Sequence, residues 1–124
     1  MAQYQVFHFY APRGAHHDGT VPVSHVIGGD PDFAMRCWDG KVTGCGYRSV
    51  ASVKVEDPDV LNNLEMCFQL TNHIDRDWRI NQGVTALPTP QRSTGVGDIV
   101  KDSDGALWVV MGCGFKQVGF QAWA

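Results

Sequence analysis

At 124 residues, with 44% apolar and 19% charged side chains, the chain has the length and make-up of one domain around one core, which excludes a largely disordered polymer. Thirteen acidic against ten basic side chains leave a formal charge of −3, with arginines interleaved among the acids; neither a basic groove for nucleic acid nor the dense acidic surface of a DNA mimic is expected. The longest apolar runs, 6–10 and 107–111, are far too short to span a bilayer, so a membrane is not an expected partner.

The N-terminus, Met-Ala-Gln-Tyr-Gln-Val, lacks a basic start, an apolar run and a small-residue cleavage site, which makes the cytoplasm the expected compartment. Gln3–Tyr10 has strand composition, with Val6 and Tyr10 on one face and Phe7 and Phe9 on the other, the pattern of a strand buried on both sides. Residues 11–20 read as loop, and Val21–Ile27 as a short strand ended by Gly28-Gly29. Asp30-Pro31-Asp32 has the form of an N-cap followed by proline at the first helical position, so Pro31–Trp38 reads as a short helix closed before Gly40, though strand composition also fits Ala34–Trp38.

From Gly46 onward the pattern sharpens. Tyr47, Ser49, Ala51, Val53 and Val55 form one alternating face, with Arg48, Ser52 and Lys54 on the other, as in a half-buried strand. Asp57 then reads as an N-cap, Pro58 as the first helical residue, and Val60, Leu61, Leu64, Cys67, Phe68 and Thr71 as an apolar stripe, with Asn62, Asn63, Glu65 and Gln69 outside. This predicts a helix over 58–72 that lays one stripe on a sheet. A polar connector over 73–83 and an extended Leu87-Pro88-Thr89-Pro90 follow. Asp98–Lys101 and Ala106–Met111 flank Asp102-Ser103-Asp104-Gly105, whose Asp-Gly end signals a hairpin, and a last strand is expected near Phe115–Val118.

The expected fold is therefore α+β: one amphipathic helix packed on a small, mainly antiparallel sheet ending in a β-hairpin. Residues 1–124 form a single domain, with a glycine-rich, irregular strand and loop region over 1–46 and a strand, helix and hairpin core over 47–124. A chain of this size needs no disulfides in the cytoplasm, so Cys37, Cys45, Cys67 and Cys113 are expected as free thiols, with Cys67 acting as a small buried hydrophobe.

Several motifs recur in order and spacing: Tyr47-Arg48-Ser49-Val50-Ala51, then Leu70-Thr71-Asn72-His73-Ile74-Asp75 with Trp78 and Asn81, then Arg92-Ser93-Thr94-Gly95-Val96-Gly97-Asp98, and finally Trp108 to Gly114-Phe115. Together they resemble a family of small uncharacterised proteins encoded by bacteriophages of actinobacteria and by related plasmids or integrated elements. The resemblance covers roughly the last 75 residues. It implies a mobile-element origin and carries no assigned activity.

Five sets of residues are weighed for function. Arg92, Ser93, Thr94, Gly95 and Gly97 combine a cation, hydroxyls and flexible backbone suited to an anion-binding nest, but a strand entry with Asp98 capping a turn is the simpler explanation. His73 and Asp75 follow a helix end, where capping explains them, and would join that ligand-binding set if they faced Arg92. His16, His17, Asp18 and His25, with Cys37 or Cys45, lack a recognised zinc spacing, and Cys113 between two glycines has no identifiable base, so no metal, no cofactor and no catalytic residue is expected. Four tryptophans and a Phe120-Gln121-Ala122-Trp123 terminus exceed what one small core absorbs, which makes Trp78, Phe120 and Trp123 candidate interface residues.

Binding therefore leads over catalysis. The expected function is that of a small phage or mobile-element accessory protein that contacts a host protein, or assembles with itself as a homo-oligomer, in the host cytoplasm. Inhibition of a host process or a defence system is a role such contact would serve. The rival is a phosphate- or nucleotide-binding protein, or a small enzyme, using the 92–97 segment.

Overall fold

The computed structural model describes residues 2–10, 31–41, 45–71, 83–86 and 94–123. The strand expected over 21–27 and most of the 73–83 connector lie outside them. Six strands, β1 Ala2–Tyr10, β2 Gly46–Val55, β3 Val84–Ala86, β4 Ile99–Lys101, β5 Ala106–Val110 and β6 Phe115–Phe120, form one antiparallel sheet in the order β3-β2-β1-β4-β5-β6. Among the described residues two helices, α1 Pro31–Trp38 and α2 Val60–Leu70, complete an α+β fold that is mostly sheet. None of the described helices is long and apolar enough to cross a membrane.

The two apolar faces of β1 follow from its place inside the sheet, between β2 and β4. Tyr4 and Val6 join Val53, Val55, Val100 and Val110 in a core closed by Leu64 and Cys67 of α2. Phe7 and Phe9 lie with Ile99, Leu107 and Val109 in a second core closed by Ala34 and Cys37 of α1. A sheet apolar on both sides needs cover on both. The expectation of a single helix is thus corrected to two, one over each face, and the irregular 1–46 region supplies both the inner strand and the second helix. α1 is stopped sharply: Lys41 N–H donates to Arg36 O at 2.9 Å and Gly40 N–H to Cys37 O at 3.1 Å, with Gly40 at φ 74°, a left-handed C-terminal cap that glycine adopts without strain.

β2 departs from the single alternating face read in its sequence. Val6 pairs with Ala51 and Phe7 with Ser49, which leaves Val50 as an extra residue in a β-bulge. The bulge reverses the alternation. Ala51, Val53 and Val55 pack toward α2, while Tyr47 packs toward α1.

The start of α2 is also shifted. Asp59, not Asp57, is the N-cap, its carboxylate accepting from Leu61 N–H at 2.9 Å, and Pro58 precedes the helix. Asp57 acts one step earlier by accepting from Asp59 N–H at 2.8 Å. Asn63, expected outside, is buried because its amide completes this start: its Oδ1 accepts from Asp57 N–H, and its Nδ2 donates to Asp57 O at 2.7 Å and to Tyr4 Oη at 3.2 Å. Leu61, expected in the stripe, is 53% exposed.

Candidate functional site

Where α2 ends, a chain of buried polar groups begins. Thr71, the C-cap of α2, is fully enclosed and sends its hydroxyl to Cys67 O at 2.7 Å. Its Oγ1 lies 2.7 Å from Thr94 Oγ1, which in turn lies 2.9 Å from His8 Nε2 of β1. A carbonyl only accepts and each hydroxyl has one proton. Thr71 has given its proton to Cys67, so Thr94 donates to Thr71, and His8 Nε2 carries the hydrogen that Thr94 accepts. The order is His8 to Thr94 to Thr71 to carbonyl.

Asp98 closes the other side. Its Oδ1 accepts from Phe9 N–H and its Oδ2 from Gly95 N–H, both at 2.8 Å, and Oδ2 stands 3.9 Å from His8 Nε2. Thr94 N–H donates to Thr71 O at 2.9 Å, Gly97 N–H to Val110 O at 2.8 Å, and Tyr47 Oη to Gly97 O at 2.7 Å. The 94–98 segment is thereby fastened to β1, β2, β5 and the end of α2. Asp98 does cap a turn, the simpler of the two explanations its motif allowed.

Chemically, this arrangement is a clamp. Base-activated attack by a hydroxyl requires an imidazole nitrogen that accepts the hydroxyl proton, whereas here the imidazole donates and the threonine proton points away from it. Among the described residues of the 92–97 segment, the N–H groups of Thr94, Gly95 and Gly97 and the hydroxyl of Thr94 all bond within the protein.

The thiols sort by burial. Desolvation pushes Cys67 up to about 12, and desolvation together with neighbouring Cys45 pushes Cys37 up to about 11, so neither forms a thiolate near neutrality. All four cysteines are free, and Cys113 is exposed in the turn between β5 and β6. Among the described residues no three His, Cys, Asp or Glu side chains converge as metal ligands.

Beside the clamp, a cleft of about 240 Å³ opens between α2 and the β5–β6 turn, lined by Glu65, Phe68, Val96, Val110, Met111 and Phe115 among others. Val96 is 44% exposed there, and Leu61 lies one turn before Glu65 on the same side of α2. A second cleft of similar volume lies over the α1 face between Phe7, Trp38, Tyr47 and Gln121.

Of the residues singled out in the sequence, Thr94, Gly95 and Gly97 belong to the clamped segment, while Arg92, Ser93, His73, Asp75 and Trp78, like the histidines at 16, 17 and 25, lie outside the described residues. Phe120 is 66% exposed. Trp123 is half-buried: its indole N–H donates to Asp102 O at 2.8 Å, and Lys101 Nζ sits 4.3 Å from its ring centre. Sequence reasoning placed Thr71 in the buried stripe but missed its hydrogen bonds, and it missed the burial of His8 and Asn63; the signal available for His8 was its place two residues after Val6 on an otherwise apolar face.

No family model, no curated protein and no solved structure matches this chain.

Proposed function

We propose that this chain is a small accessory protein of a phage or mobile element that acts in the host cytoplasm by non-catalytic binding, to a host protein or to itself. The observation that carries the reading is the cleft beside α2, lined by Phe68, Met111, Phe115 and the exposed side chain of Val96, with the exposed Leu61 one helical turn before its lining residue Glu65. Glu65 at its edge favours a partner that presents a cation beside an apolar side chain. The inward-directed clamp supports binding over catalysis, and the motif resemblance supports the origin.

Leu61 and Val96 are exposed, so Leu61→Asp and Val96→Asp should leave folding intact while abolishing capture of the partner from host extract. The opposing result is a phosphate- or nucleotide-dependent rise in melting temperature that Arg92→Ala removes, with capture unchanged by both aspartates. That outcome would replace the binding reading with an anion site at 92–97.

A further inference from the structure

We infer that β6 pairs with β6 of a second copy of this chain, joining two sheets across a two-fold axis; the inference rests on the binding reading and names one partner for it. β6 is the last strand of the described sheet, and Lys116, Gln117 and Phe120 on it are exposed. An edge strand presents unpaired N–H and C=O groups to another strand. Which residues present them follows from the two ends of the β5–β6 ladder. Met111 N–H bonds Gly114 O, and Gln121 N–H bonds Gly105 O. Counting by twos from those ends, Lys116 and Gly119 bond to β5, while Phe115, Gln117 and Phe120 turn their backbone groups outward.

The register that follows is self-complementary. Val118 is the extra residue of a bulge, since Trp108 pairs with Gln117 and Leu107 with Gly119. Without that bulge Phe115 and Phe120, five residues apart, would lie on opposite faces. With it both lie on the α2 face, across from Val110 and Ala106. An antiparallel copy then sets Phe115 against Phe120 of its twin at both ends of the contact, in positions where both backbones point outward. Lys116, the only charged residue of the strand, falls opposite a glycine of the other copy. Slipping the register to oppose the two lysines would cost like-charge repulsion, so this alignment matches outward backbones and a shared face at both Phe115–Phe120 ends and keeps the lysines apart. An isologous contact of six-residue strands belongs to the weak class, and continuity through Phe115, which also lines the α2 cleft, extends it.

Sedimentation of the full chain from micromolar to millimolar concentration, beside amide exchange by NMR, tests this. The expected result is a reversible dimer in which the amides of Phe115 and Phe120 gain protection with concentration, while those of Lys116 and Gly119 are protected throughout. Phe120→Lys, at an exposed position, should weaken association about tenfold or more without lowering the melting temperature. A monomer at every concentration, concentration-independent exchange at Phe115 and Phe120, or a dimer unchanged by Phe120→Lys would each overturn the pairing. A monomer whose capture of a host protein still fails in Leu61→Asp and Val96→Asp would overturn it while leaving the binding reading in place.

Discussion

Thr94→Val isolates the hydroxyl at the centre of the buried clamp, because valine keeps the shape and loses only the oxygen and its proton. Two bonds disappear: the one accepted from His8 Nε2 at 2.9 Å and the one donated to Thr71 Oγ1 at 2.7 Å. Thr71 retains its bond to Cys67 O, so the main cost is the buried imidazole N–H that loses the Thr94 oxygen. A buried donor so deprived costs about 1–3 kcal/mol, and about 2 kcal/mol would lower the midpoint of a domain of this length by about 8 °C. Thr94→Ser, which keeps the hydroxyl, should lose less than half of that. Urea titration gives the two free energies, and ring ¹⁵N shifts report which imidazole nitrogen of His8 bears the hydrogen. A loss in Thr94→Val below about 0.5 kcal/mol, equal losses in the two variants, or a hydrogen on Nδ1 with none on Nε2 would refute the proton order.

Leu64→Asp sets a carboxylate in the α2-side core and should cost about 4 kcal/mol or more, whereas Asp59→Ala should cost about 0.5–2 kcal/mol through the lost cap; equal small losses in denaturant would contradict the packing of α2. Stability should fall at alkaline pH. The Cys67 thiol has its folded value near 12 against an ordinary 9.0, so the unfolded chain ionises first, and the contribution present below pH 9 is lost as pH rises toward 12; Cys67→Val should flatten that limb in urea midpoints compared at about pH 8 and about pH 10.5. Gly105 sits at φ 99°, where an added Cβ would lie 2.8 Å from Gln121 O. Gly105→Ala should therefore cost more than about 1 kcal/mol and loosen the tail, read as a change in Trp123 emission.

Strand and helix positions governed by local chemistry were legible in the sequence. The proline-started helix at 31–38, the Asp-Gly turn at 104–105 and the strand composition of 3–10 all depend on neighbours in the chain, and each has its structural counterpart. What was hidden depends on partners far away. The bulge at Val50 exists because β1 and β2 are out of step there, and it moved Tyr47 to the other face from Val53. Asn63 looks like a solvent-facing residue until Tyr4 and Asp57 are brought to it. The candidate site followed the same rule. Thr94, Gly95 and Gly97 were identified as polar and turn-forming, but their inward bonds require His8, 86 positions from Thr94, and Thr71, which capping patterns alone did not distinguish.

The inner position of β1 has a consequence for how the chain folds. Gln5 pairs with Ser52 on one side and with Lys101 on the other. β1 thus waits for a strand that leaves the ribosome long after it. Until β4 emerges, β1 and β2 form a ribbon with an open edge and an apolar surface on each side, a species prone to wrong pairing. Contacts this distant in sequence slow folding toward the range of about milliseconds to seconds. No fragment ending before residue 99 contains the complete inner sheet, so truncations that remove β4 should unfold the whole unit and not only the strands cut away.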